Sequence, residues 1–70
     1  MTRQLIISTG LKSVGYDAIA HVLEAELQSG RIQRYFDVPQ SVYEALKAAP
    51  SKTQYFNDNV VGQYESCQIA

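Results

Sequence analysis

The feature that most constrains this chain is a change of period at Pro39. Before it, apolar residues recur at every second position; after it, they recur at intervals of three and four. From Ile19 to Leu27 the residues Ile19, His21, Leu23, Ala25 and Leu27 fall on one side, while Ala20, Val22, Glu24 and Glu26 fall on the other. That alternation is the signature of a pleated strand, because successive side chains of extended backbone point to opposite faces. The first set is expected to face the core. The stretch is also rich enough in alanine for a helix, but the β-like partner that follows decides for strand. Gln28-Ser29-Gly30 supplies turn residues, with Gly30 free to take positive φ. Arg31 to Val38 then alternates again, with Ile32, Arg34 and Phe36 on one side and Gln33, Tyr35 and Asp37 on the other. Two such runs around a short Gly-containing loop predict an antiparallel hairpin. Upstream, Leu5 to Val14 is a mixed segment interrupted by Gly10, and Gly15-Tyr16-Asp17 reads as a turn.

Pro39 suits the first turn of a helix, where its missing N–H has no intrahelical partner to lose. Val42, Ala45, Leu46 and Ala49 follow at i, i+3, i+4 and i+7, which forms one apolar stripe. Pro50 ends that helix. Ser51, with Gln54 three residues later, has the spacing of a capping box and opens a second helix. Phe56, Val60 and Tyr64 recur every four residues along it, Gly62 stands near its end as a cap, and Asn57, Asp58 and Gln63 are left for solvent. Glu65 to Ala70 carries no strong pattern. The expected fold class is α+β: a small antiparallel sheet of three strands, or four if the first segment joins it, followed by two helices packed on one face.

At 70 residues the chain is read as a single domain. A chain this short buries only about 60% of its unfolded surface, so its core supplies roughly 3–5 kcal/mol without further support. Cys67 is alone, which rules out an internal disulfide, and one Cys with one His cannot complete a structural zinc site. Good packing or self-association has to stabilise the fold. A net charge of −1 excludes a polybasic surface of the kind that nucleic acid or membrane binding draws on. Leu5-Ile6-Ile7 is too short for a signal core or a membrane span, so the protein is expected to be soluble and cytoplasmic, with its thiol kept reduced.

A block of motifs runs through the chain in order: Gly15-Tyr16-Asp17, Tyr35-Phe36-Asp37-Val38-Pro39, Val42-Tyr43, Ala49-Pro50-Ser51-Lys52 and Tyr55-Phe56-Asn57. In order and spacing this block resembles the KTSC domain, a module of bacterial and phage proteins that is also found at the C-terminus of some lysyl-tRNA synthetases. The resemblance covers residues 8 to 64. It implies RNA binding through the synthetase association, and in a phage setting a domain that sequesters a nucleotide signal of the host. Three positions depart from the family pattern. Its Tyr-x-Tyr motif is Gln33-Arg34-Tyr35 here, Thr53 replaces the usual Gly after Ser-Lys, and Asp58, Val61 and Gln63 stand where basic residues are common. Fewer aromatic and positive groups argue against a strong RNA surface.

Catalytic machinery is not legible. His21 reads as a structural residue on the apolar side of its strand, Cys67 lies in the patternless tail, and no nucleophile elbow or metal-binding helix occurs. Glu24 and Glu26 point the same way on their strand, which reads as a solvated face. The four glycines match no phosphate-loop spacing. The protein is therefore expected to be a non-enzyme that needs no cofactor.

Two features point to binding. Lys52 in a first helical turn opposes the positive end of the helix dipole, and a bound anion would remove the conflict. Ser51, Lys52, Thr53 and the free N–H groups beside them would then cradle a phosphate. Five tyrosines in 70 residues supply stacking surface. Tyr43 and Tyr64 sit on or near the helical core stripes, whereas Tyr35 and Tyr55 are expected to be accessible. With Arg34 they are the residues expected to stack on a base or hold it through cation–π contact. The function expected is a binding module for a small phosphorylated, nucleotide-like ligand held between the sheet and the second helix. The alternatives are an RNA-binding module and a self-associating or protein-binding domain, a homodimer or higher oligomer paired through the strand-like Leu5 to Ile7.

Overall fold

The computed structural model of this chain describes residues 10–70 in full and, before them, the backbone of Arg3–Leu5. Five antiparallel strands lie side by side in sequence order: β1 (Arg3–Leu5), β2 (Leu11–Asp17), β3 (Val22–Leu27), β4 (Ile32–Tyr35) and β5 (Ser66–Gln68). Two helices, α1 (Gln40–Ala48) and α2 (Lys52–Asn59), stand between β4 and β5 in the chain. The fold is the α+β arrangement expected, but the sheet is wider. The patternless tail supplies β5, in which Gln68, Cys67 and Ser66 pair with Gln33, Arg34 and Tyr35. Such pairing is carried by main-chain groups and needs no side-chain pattern, which is why it left no trace in the sequence. β1 pairs with β2 through Leu5↔Ser13, within the same chain. The rest of the Leu5–Ile7 segment lies outside the described residues.

The hairpin around Gly30 forms as expected, with Gly30 at φ +95° and its N–H bonded to the Leu27 carbonyl at 2.9 Å. The first turn does not lie at Gly15-Tyr16-Asp17, because those residues complete β2. The chain reverses after them. Asp17 Oδ1 accepts the N–H groups of Ile19 at 3.0 Å and Ala20 at 3.1 Å, an Asx turn that makes Asp17 the start of the reversal. Ile19 therefore sits on the turn, 95% exposed, and does not join the core face assigned to it. His21 is likewise in the turn, exposed and at φ +57°.

Register decides which face of the sheet is buried. Tyr16 lies opposite Leu23, Leu23 opposite Tyr35, and Val14 opposite Ala25. A register shift between Leu11 and Ser13 lets Leu11 and Val14, three positions apart, both enter the core. These strand residues meet Val38, Leu46 of α1, and Phe56 and Val60 of the α2 region. The ring of Tyr35 packs edge-on against Phe56, centroids 5.4 Å apart at 87°. Tyr16 stacks on Tyr43 at 5.1 Å and gives its hydroxyl proton to the Val38 carbonyl, which fastens β2 to the start of α1. His21 Nδ1 lies 3.2 Å from the same hydroxyl.

The opposite face of the sheet is polar. Arg34 Nε donates to Glu24 Oε1 at 3.0 Å, and Ser13 Oγ donates to Glu26 Oε1 at 3.0 Å. Glu24 and Glu26 are thus two separate anchoring groups, and Glu24 is buried rather than solvated.

Candidate functional site

Two helix starts follow from local chemistry. Pro39 stands in extended conformation just before α1 and its carbonyl accepts the Val42 N–H at 3.0 Å; Ala49 ends the helix ahead of Pro50. One residue further on, α2 begins after Ser51, whose carbonyl accepts the Tyr55 N–H at 3.0 Å. The capping box does not form: the Ser51 side chain makes no cap hydrogen bond.

Two side chains of the expected phosphate cradle, Lys52 and Thr53, are engaged in internal contacts. Lys52 Nζ donates to the Ala49 carbonyl at 3.1 Å, so its charge meets the carbonyl end of α1. A cation at a helix C-terminus is favourable, and this contact, not an anion, relieves the unfavourable placement at the start of α2. Thr53 Oγ1 accepts the Gly10 N–H at 2.9 Å and ties the segment before β2 to α2. A Cβ at Gly10 would stand 3.0 Å from Thr53 Cγ2, a close contact that the Thr53 side chain would have to relieve.

The expected stacking residues are also dispersed. Tyr35 is not accessible: it is 5% exposed, because its partner Leu23 places it on the core face. Burial pushes its phenol above the ordinary value of 10.0, and the Arg31 cation offsets part of that rise. Arg34 lies on the far face of the sheet with Glu24. Tyr55 is half buried on the other side of α2 from Thr53. Ser51, Lys52, Thr53, Arg34, Tyr35 and Tyr55 therefore do not converge on one site.

What does converge is a cleft of about 300 Å³ between the sheet and α2. Its apolar floor is Leu11, Leu27, Tyr35 and Phe56, with Val61 beside it. Polar groups from two parts of the chain stand around that floor: Arg31 and Gln33 at β4, and Thr53 and Asn57 on α2. Positions 53, 56 and 57 share one helical face by the i, i+3, i+4 rule, which is how α2 delivers its groups together. Of the residues marked in the sequence only Thr53 and Tyr35 belong to this cleft. Arg31, Gln33 and Asn57 were missed because Asn57 is far in the chain from the other two, and only the packing of α2 against the sheet unites them.

Sequence comparison adds the relationship. The pattern that defines the KTSC domain matches residues 7–64. The chain belongs to the KTSC domain family. Its fold is shared closely with the crystal structure of a KTSC domain protein from Yersinia pestis, at a TM-score of 0.96 and 26% identity over 99% of this chain and 97% of that one. An uncharacterised protein of Stutzerimonas stutzeri strain A1501 is 42% identical over 57 residues, 81% of this chain and 80% of its own. A lysine-tRNA ligase of Nostoc sp. strain PCC 7120 is 40% identical over 60 residues, and one of Nostoc punctiforme is 38% identical over 60. The matched region is 86% of this KTSC domain but 11% of either ligase. Among the described residues no helix is long and apolar enough to cross a membrane, and no cluster of three metal-ligating side chains occurs.

Proposed function

We propose that this KTSC domain is a non-enzymatic binding module for a small phosphorylated, nucleotide-like ligand, held between the sheet and α2. The observation that carries this reading is the cleft of about 300 Å³ with an apolar floor, two carboxamides and one arginine. That volume is at the small end of ligand pockets and suits a single base with its sugar phosphate. Leu27 and Val61 offer apolar surface for the face of a base above the buried Leu11 and Phe56, and the Gln33 and Asn57 amides offer donor and acceptor groups to its edge. Arg31 replaces Lys52 as the phosphate-binding cation, with a planar fork that matches phosphate oxygens. Among the described residues the cleft lining has no carboxylate, imidazole or thiol, which favours binding over catalysis.

Calorimetric titration with the four nucleoside monophosphates, and with inorganic phosphate as control, tests the reading. Saturable heat from a nucleotide that vanishes in Arg31→Ala supports it, and absence of heat from all four sinks it. A second reading, RNA binding, is favoured by the 40% identity to part of a lysine-tRNA ligase. In that case single-stranded RNA should bind more tightly than mononucleotides and lose affinity steeply as salt rises.

A further inference from the structure

We propose that a second cleft, between α1 and the end of α2, binds an alkyl ammonium or guanidinium group such as ends a Lys or Arg side chain. This cleft holds about 410 Å³ and is lined by Val42 of α1, Tyr55, Asp58 and Asn59 of α2, and Gln63 and Tyr64 beyond it. Positions 55, 58 and 59 repeat the i, i+3, i+4 spacing of 53, 56 and 57, two residues later and so about 200° around the helix. The two clefts therefore lie on opposite sides of α2, and the second owes nothing to the nucleotide reading.

Its chemistry selects a cation. Among the described residues, no Lys, Arg or His lines it. Asp58 is exposed and has no ion pair or hydrogen bond among the described residues. Asn59 spends its Nδ2 on the Tyr55 carbonyl at 3.2 Å, which leaves the side-chain oxygen, an acceptor, for a ligand. Tyr55 and Tyr64 are half buried against the core and both line the cleft, so each leaves part of its ring for a group bound there. Aromatic rings with a carboxylate beside them attract an organic cation through the ring quadrupole and direct charge pairing. The same attraction operates elsewhere in this molecule, where Lys47 Nζ lies 4.7 Å from the centroid of the Tyr43 ring. Val42 provides a wall for the alkyl chain.

Nuclear magnetic resonance titration of the whole chain with n-butylammonium and n-butylguanidinium, against neutral 1-pentanol, is the test. The cations should shift the Tyr55 and Tyr64 ring signals saturably, with dissociation constants on the order of millimolar, while 1-pentanol leaves them unmoved. Asp58→Asn, which removes the charge from an exposed side chain, should weaken the cations about fivefold or more. Tyr64→Leu, which keeps an apolar group against the core, should weaken them as well. Equal response to 1-pentanol, unchanged affinity in Asp58→Asn, or no saturable shift of the two rings overturns the proposal.

Discussion

The two sides of α2 teach more than either cleft alone. On one side Thr53, Phe56 and Asn57 look toward the sheet, across an apolar floor rimmed by Arg31; on the other Tyr55, Asp58 and Asn59 look toward α1, across tyrosine rings and a carboxylate. One helix of eight residues thus separates a cleft with a positive rim from a cleft with a negative one. In a domain this small there is no spare element to hide behind, so each face of a helix becomes a wall of something. Phe56 and Val60 hold the helix down, and the residues flanking that anchor are left to chemistry.

The largest test of this comparison removes the anchor. Phe56→Ala should cost about 3–5 kcal/mol through lost contacts and the cavity left under Tyr35, close to the whole stability of so short a chain. Thermal unfolding followed by circular dichroism should show the domain largely unfolded, with both clefts lost together. If the variant folds normally, α2 is held by something other than its core stripe.

A smaller effect is expected from Thr53→Val, which keeps the shape but leaves the Gly10 N–H without its acceptor. The cost should be about 1–2 kcal/mol in denaturant unfolding, and it should fall on the sheet-side cleft, whose edge Gly10 helps to form. Cation binding on the α1 side should survive.

Alkaline pH separates the sides differently. The Tyr35 phenol lies at the sheet-side cleft and is held above 10.0 by burial, so ionising it is harder in the folded state than in the unfolded chain, where tyrosine titrates near 10. Its contribution to stability is fully present below about pH 10 and is lost as pH rises from there through the folded value. Unfolding midpoints measured from pH 8 to 11 should fall more steeply in the parent than in Tyr35→Phe; parallel curves would exclude Tyr35 as a source of that fall. Tyr16, also raised by burial and by neighbouring Asp17, accounts for part of the slope that remains.

The smallest effect on stability and the sharpest on the comparison comes from removing the two rim charges one at a time. Arg31→Ala and Asp58→Asn are both exposed substitutions and should each stay within about 0.5 kcal/mol of the parent. Arg31→Ala should abolish nucleotide heat while leaving n-butylammonium bound, and Asp58→Asn should do the reverse. Loss of both ligands in either variant would show that the clefts are not separate sites.

Much of the architecture was readable from local chemistry. The β3–β4 hairpin, the glycine at its turn, the helix beginning after Pro39 and the stop at Pro50 all arise from what a few adjacent residues can do with their backbone, whereas α2 ends at Asn59 with Val60 as its cap, short of the expected Gly62. The errors share one cause. Alternation in Arg31 to Val38 separated Arg34 from Tyr35 correctly, but only pairing with Leu23 showed that the tyrosine side faces inward. Asp17 was read within a turn when it is the residue that begins one. Lys52 was read as a cation in search of an anion because the Ala49 carbonyl, three residues back, belongs to a different helix.

From its own order of residues the chain determined where extended backbone gives way to helix, which residues could punctuate it, and which family it belongs to. The first two depend on neighbours within a few positions, and the family on the order and spacing of motifs along residues 7–64. Tertiary structure alone decided that the tail becomes a fifth strand, that Tyr35 is core, and that Arg31, Gln33 and Asn57 meet around one cleft. Main-chain pairing between distant segments carries little side-chain signature, and the position of a charge relative to a surface exists only once the sheet and helices have packed.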